Sequence, residues 1–371
     1  MRESESSDIG KLSHVPVFDG FRGLAILCVI VMHNLHIPFG WIGVDIFFVL
    51  SGFLITRILL NTRDQEGYLH NFYARRFLRI FPIYYLTLLF VAQLWLGLAH
   101  KESGNIWWYV CYLADFTWLK PEVEVGMLSH TWSLAIEEQF YIVWPLLIGW
   151  LPRRKMMVVC IALLVTTYGF RFGLSRVPEL ENAFTYSIFT RSDGILAGSI
   201  LALLVHGGLR HNPENVRLAF RIMAVSMVIV FTLALARQLS FSKRTLLMSC
   251  LGMPSIALGS AAALWWGMGG TPANRRYRIL TWPPLAYIGK ISYGLYLYHL
   301  PIFKLGREWL DWSGTLTMRI ALGVLMMIAA FAVASLSWHF FESPINGLKR
   351  YWEYNPKDEP APERPLAPPA A

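Results

Sequence analysis

The chain predicts an all-α, polytopic membrane protein of about ten transmembrane helices, with both termini in the cytoplasm. Three observations predict it. Of the 371 residues, 55% are hydrophobic and 15% charged, against about 25% charged in soluble domains. The apolar residues fall in runs of about the 20 residues that a helix needs to cross a bilayer. The Lys and Arg residues collect in the short connections between runs, as the positive-inside rule requires. That placement also disposes of a nucleic-acid reading of the net charge of +9, because the cations cluster in the short loops between apolar segments.

Residues 1–17 are polar and read as a cytoplasmic lead-in. They carry no charged n-region with a small-residue cleavage site, so no removable signal peptide is expected. Spans are expected at 23–37, 41–60, 77–99, 128–151, 156–174, 186–206, 219–239, 246–268, 284–303 and 316–340. The first closes a stretch that begins Phe18-Asp19-Gly20-Phe21-Arg22-Gly23 and carries His33 at depth. Arg22 and His33 are eleven residues apart, which is three helical turns plus roughly 20°, so both side chains leave the same face. They stand about 16 Å apart along the axis, half the bilayer core. A cation at the membrane edge below a mid-depth imidazole is costly in lipid, and such residues mark function more often than packing.

The second span adds Asp45 within Gly43-Val44-Asp45-Ile46-Phe47-Phe48-Val49-Leu50-Ser51-Gly52-Phe53. The third opens on Arg75-Arg76-Phe77-Leu78-Arg79-Ile80-Phe81-Pro82, where Arg76 and Arg79 share a helix face. Positive-inside bias alone accounts for these arginines, but a polyphosphate ligand would need the same cluster. Residues 105–119 are aromatic and too short to span, so they are expected at the interface or as a re-entrant piece.

The fourth span reads Thr131-Trp132-Ser133-Leu134-Ala135-Ile136-Glu137-Glu138-Gln139-Phe140-Tyr141 and runs inwards. Its two carboxylates lie about 13 Å below the outer edge, near the depth of His33. The bland alternative is an interhelical ion pair, with Arg191 as the candidate partner. In the sixth span Arg191 and Asp193 are expected to satisfy one another. The ninth carries Tyr293, Tyr296, Tyr298 and His299, which also read as interfacial belt residues. Glu342 falls at the inner surface, within reach of an arginine. Cys28, Cys111, Cys160 and Cys250 lack paired spacing and read as small buried apolar residues, with neither a disulfide framework nor a metal site. The organisation is then a transmembrane domain over 18–344 and a Pro-rich, disordered cytoplasmic tail over 345–371.

Together these stretches, with Ile291-Ser292-Tyr293 and His299-Leu300-Pro301, resemble the acyltransferase 3 family of integral membrane acyltransferases. The matches run in order from residue 18 to about 344. The resemblance implies ten core helices and residence in the plasma membrane. It also implies an acyl-coenzyme A donor, usually acetyl-CoA, used as a co-substrate and not as a tightly bound cofactor. The acceptor would be a hydroxyl at the outer face, on a cell-surface carbohydrate or lipid-linked glycan. The donor phosphates would sit on Arg22, Arg75, Arg76 and Arg79, and the pantetheine arm would carry the thioester up towards His33. Some relatives carry a fused extracytoplasmic domain; none is expected here, so the protein is expected to act directly or to hand the acyl group to another protein.

On that reading neutral His33 takes the acceptor's proton as general base. A carboxylate, Glu138 or Asp45, orients the imidazole, and Tyr293 or Ser133 donates to the developing oxyanion. A covalent acyl-His or acyl-Tyr route stays open, as do exopolysaccharide, O-antigen, a lipo-oligosaccharide or a macrolide as acceptor, the acyl length, and a homo-oligomer. The rival class is a secondary transporter, against which stands the lack of paired, symmetry-related halves.

Overall fold

A computed structural model describes residues 15–35, 39–99, 106–120, 125–177, 180–236 and 247–353. Of the lead-in expected over 1–17, residues 1–14 lie outside the described residues and 16–17 begin the first helix. Of the disordered tail expected over 345–371, residues 345–352 are instead helical and 354–371 lie outside the described residues. Sixteen α-helices follow in order: α1 (Pro16–Leu35), α2 (Ile42–Thr62), α3 (Tyr68–Ala99), α4 (Trp107–Val110), α5 (Trp132–Trp150), α6 (Arg153–Leu174), α7 (Glu181–Tyr186) and α8 (Ile188–Arg191). Then come α9 (Asp193–His206), α10 (Pro213–Leu235), α11 (Met253–Met268), α12 (Arg275–Leu280), α13 (Pro283–Lys290), α14 (Ser292–Trp309), α15 (Leu316–Ser337) and α16 (Ser343–Gly347). No strand occurs among the described residues. In hydrocarbon the backbone must satisfy its own hydrogen bonds, and a helix does so within one segment.

Among the described residues six segments are long and apolar enough to cross a membrane: Pro16–Leu35, Ile42–Thr62, Arg153–Leu174, Pro213–Leu235, Met248–Met268 and Leu316–Trp352. The other four expected spans fall short of that description for physical reasons. α5 carries paired glutamates, and α3 opens on the arginine cluster, with the side chains of 94–99 at its far end outside the described residues. α9 has only 14 residues, and the ninth span is broken at Ile291 into α13 and α14. Local caps follow the sequence: Asn212 accepts from the Asn215 N–H ahead of Pro213, and Thr315 accepts from Met318 at the start of α15.

α2 is the central element. Two thirds of its spanning window (67%) is buried, against 17% for α6 and for α10, so those two helices lie on the lipid-facing periphery. α2 packs on α1, α5, α9 and α11, α1 also lies along α13, and α14 pairs with α15. Gly52 and Gly198 set the α2–α9 approach. A Cβ on Gly52 would meet the Ile195 carbonyl, and one on Gly198 the Val49 carbonyl, so the two backbones touch.

α3 is tied to α5 beside Pro145, where the Tyr68 and Tyr73 hydroxyls donate to the carbonyls of Pro145 (3.0 Å) and Ile142 (2.8 Å). The expected interfacial piece is α4 and a 3₁₀ turn (Ala114–Leu119). Beyond α15 the chain stays helical through a π turn (Trp338–Glu342), α16 and a 3₁₀ turn (Leu348–Trp352), which lie against α3. The cysteines are free, and two depart from the buried expectation: Cys160 is buried and Cys28 partly so, but Cys111 and Cys250 are exposed.

Candidate active site

A cavity of about 420 Å³ opens among α1, α2, α3, α5 and α14, within the range of small-molecule sites. Its α2 wall runs from Ile58 to Val44, about 21 Å of helix axis at 1.5 Å per residue. The cavity therefore connects the arginine-rich end of the molecule with its interior.

At the basic end Arg22, Arg75, Arg76 and Arg79 all line it, and Arg57 joins them from α2. Arg22 also donates to Asp19 one turn back at 2.8 Å. It nonetheless stands near enough to Arg76 and Arg79 to be repelled by both. The Arg76 guanidinium lies over the rings of Phe72 (5.8 Å) and Tyr141 (5.7 Å). Arg75 donates to the carbonyls of Lys349 (3.2 Å) and Trp352 (3.1 Å), so the C-terminal turn orients it. Planar guanidinium forks converging on one cavity suit a phosphate-rich anion.

Deeper in, α5 supplies Glu137, Glu138 and Tyr141, and α14 supplies Tyr293. Tyr141 is hydrogen-bonded to Ser51. Tyr293 donates its hydroxyl proton to the Ile80 carbonyl at 3.0 Å, so that hydroxyl meets a ligand as an acceptor. Ser133 and Tyr296 line the far end of the cavity. Their hydroxyls are 2.6 Å apart, and Tyr296 donates to the His130 carbonyl at 2.8 Å.

Behind Tyr296 stands a cluster of imidazoles. His299, wholly buried, follows Tyr296 by one turn of α14. Its ring is 5.0 Å from that of His130 and 5.0 Å from that of His33, centroid to centroid. His299 Nε2 lies 3.1 Å from His33 Nδ1, and Arg307 donates to the His33 carbonyl at 2.8 Å.

Of the eight residues singled out from the sequence, six meet in this cavity: Arg22, Arg75, Arg76, Arg79, Glu138 and Tyr293. His33 and Asp45 lie outside its wall. His33 touches His299, which in turn packs on the wall residue Tyr296. Asp45 sits in a separate buried pair with Arg191 (3.2 Å), whose guanidinium lies over Trp41 and Trp132. Arg191 is therefore held by Asp45 and not by Asp193. Asp193 pairs instead with Arg171 at 2.5 Å, both fully buried. Glu342, expected at the surface, is buried and accepts from Ser337 at 3.0 Å.

Sequence reasoning missed Arg57, Tyr296, His299 and His130 as parts of the site. Arg57 read as loop charge. Tyr296 and His299 read as belt residues, although their spacing with Ser292 and Tyr293 on one face of α14 is the signal that groups them. Among the described residues no group of three His, Cys, Asp or Glu side chains is arranged to hold a metal ion.

Three relatives are similar over most of the chain. It is 31% identical over 380 residues to peptidoglycan O-acetyltransferase OatA of Listeria monocytogenes, covering 92% of this chain and 57% of that protein. It is 31% identical to putative peptidoglycan O-acetyltransferase YrhL of Bacillus subtilis, covering 90% and 55%. It is 27% identical to O-acetyltransferase OatA of Staphylococcus aureus, covering 91% and 58%. The chain thus spans little more than half the length of these curated relatives. No solved structure matches it. The acyltransferase-domain family model matches residues 15–339, a stretch that holds every cavity-lining residue, and the chain therefore belongs to the acyltransferase 3 family.

Proposed function

We propose that this membrane protein is an O-acetyltransferase that moves an acetyl group from acetyl-CoA, entering at the basic end, to a hydroxyl of a cell-envelope carbohydrate. The observation that carries the reading is the cavity itself, with five arginines at one end and carboxylates and hydroxyls deeper in. The 3′-phosphate and pyrophosphate of the donor lie on Arg22, Arg75, Arg76 and Arg79, with Arg57 alongside. The pantetheine arm follows the α2 wall and brings the thioester to the level of Glu138, Ser133 and Tyr296. His33 acts as general base on the acceptor hydroxyl, worth about 10²–10⁴-fold. Of the three hydroxyls, Tyr293 gives its proton to the Ile80 carbonyl and Tyr296 to the His130 carbonyl, so Ser133 is the donor to the oxyanion.

On this reading the basic end faces the cytoplasm, where acyl-CoA is made, and the imidazole end faces outwards. The names of the relatives support peptidoglycan as the acceptor.

The test uses purified protein in liposomes with labelled acetyl-CoA on the basic side and peptidoglycan fragments on the other. Wild-type protein should ester-link the label to the glycan. His33→Ala should lower transfer by at least about 10²-fold. Arg76→Gln and Arg79→Gln should each raise the donor KM about tenfold, as loss of one charge-assisted contact does. Transfer that survives in His33→Ala refutes the base assignment, and indifference to acetyl-CoA refutes the donor.

A further inference from the structure

We infer that His299 is the positioning residue of this site: its backbone-anchored imidazole accepts from His33 Nδ1 and so selects the tautomer in which His33 Nε2 is the base. The inference rests on the assignment of His33 as base and deepens it by replacing the expected orienting carboxylate with a second imidazole.

The chemistry follows from which atoms can donate. His299 Nδ1 lies 2.7 Å from the Tyr296 carbonyl oxygen and 3.2 Å from that of Leu295. A carbonyl oxygen only accepts, so Nδ1 carries the hydrogen. In the neutral ring Nε2 then holds the lone pair, and it is this atom that stands 3.1 Å from His33 Nδ1.

The surroundings favour the neutral ring. His299 is wholly buried between the rings of His33 from α1, His130 from the turn before α5, and Tyr296 and Phe303 from α14. The cations on this side are Arg307, on the His33 carbonyl, and Lys304, which repels a charge on His130. Asp45 sits in its pair with Arg191. An imidazolium at His299 would therefore be a buried charge among cations, which is costly. So His33 donates through Nδ1, and its Nε2 bears the lone pair.

During transfer the acceptor hydroxyl proton passes to His33 Nε2 as the new C–O bond forms. The Nδ1–H···Nε2 bond to His299 then becomes charge-assisted and strengthens at that moment. When the C–S bond breaks, the proton on His33 Nε2 goes to the departing thiolate, and the ring returns to its starting tautomer.

Two measurements decide the matter. Nitrogen-15 NMR of histidine-labelled wild-type protein, with His33 assigned by its loss in His33→Gln, should show a protonated Nδ1 and an unprotonated Nε2. The opposite tautomer overturns the inference, whatever the variants do. In the acetyl-transfer assay His299→Ala should lower kcat about 10²-fold with the donor KM unchanged. His299→Gln, whose Oε1 accepts from the same N–H, should recover about tenfold of that loss. A wild-type kcat in His299→Ala, or a folded His299→Gln no better than the Ala variant, also overturns it. Loss of the His33 assignment itself is read separately: there His33→Ala still transfers, and the tautomer spectrum is unaffected by that result.

Discussion

His211 shows how one residue outside the spanning helices ties stability to pH. Its ring stacks on Trp265 at 3.4 Å between centroids. Burial first, and then the neighbouring Arg276, push it from 6.5 down to about 4. Between those values the unfolded chain holds a proton on this residue that the folded chain does not. Stability is therefore complete above about pH 6.5 and falls as the pH drops from there to about 4. The thermal midpoint in detergent should fall across that window. His211→Phe, which keeps a stacking ring but cannot titrate, should flatten part of the decline; parallel profiles would contradict it. The Arg171–Asp193 pair is the second case at this scale. Both groups are fully buried, and Arg171 Nε donates to the Thr190 carbonyl at 2.5 Å. Asp193→Ala leaves a guanidinium buried and should cost about 3–5 kcal/mol, whereas the double change Arg171→Met with Asp193→Leu should recover most of it. Thermal unfolding of the single and double variants measures the difference.

At the scale of elements, the cavity depends on how closely α2 is held. Gly198 lies against the backbone of Val49 and Phe53, so no side chain fits there without moving α9. Gly198→Val should cut the yield of monodisperse protein and lower its melting point; a variant as stable as wild type would show that α2 is held elsewhere. The C-terminal turn works on α3 in the same way. Arg75 is held by the carbonyls of Lys349 and Trp352, and Trp352 Nε1 donates to His70 at 3.1 Å. Ending the chain after Gly347 should raise the donor KM about tenfold, the worth of a charge-assisted hydrogen bond, and leave kcat alone. An unchanged KM would mean that Arg75 needs no strap. Helix bounds show what sequence windows register. α1 begins at Pro16, seven residues before the expected span, because an apolar window discounts Asp19 and Arg22. Folded, the two neutralise each other at i and i+3.

For the whole molecule, the distribution of charge predicts the orientation. Arg154 is exposed in the first turn of α6. In a variant with the four native cysteines replaced, Arg154→Cys should react with an impermeant thiol reagent only in inside-out vesicles. Labelling of intact cells would reverse the orientation and with it the donor's side of entry. The cavity shares this polarity, since its cations lie at one end and its imidazoles beyond the other.

What the sequence determined by itself is the class of the fold and the chemical kinds of the site. Long apolar runs must become helices, because no water in the bilayer can satisfy the backbone, and an arginine, glutamate or histidine inside such a run needs a reason to be there. Only the tertiary structure decided which of them meet. His33 and His299 lie 266 residues apart, and Asp45 and Arg191 lie 146 apart. A hydrogen bond depends on ångström distances between helices whose relative placement no local pattern encodes. That is why the ring beside His33 is that of His299, and why Asp45 belongs to the helix packing around Arg191.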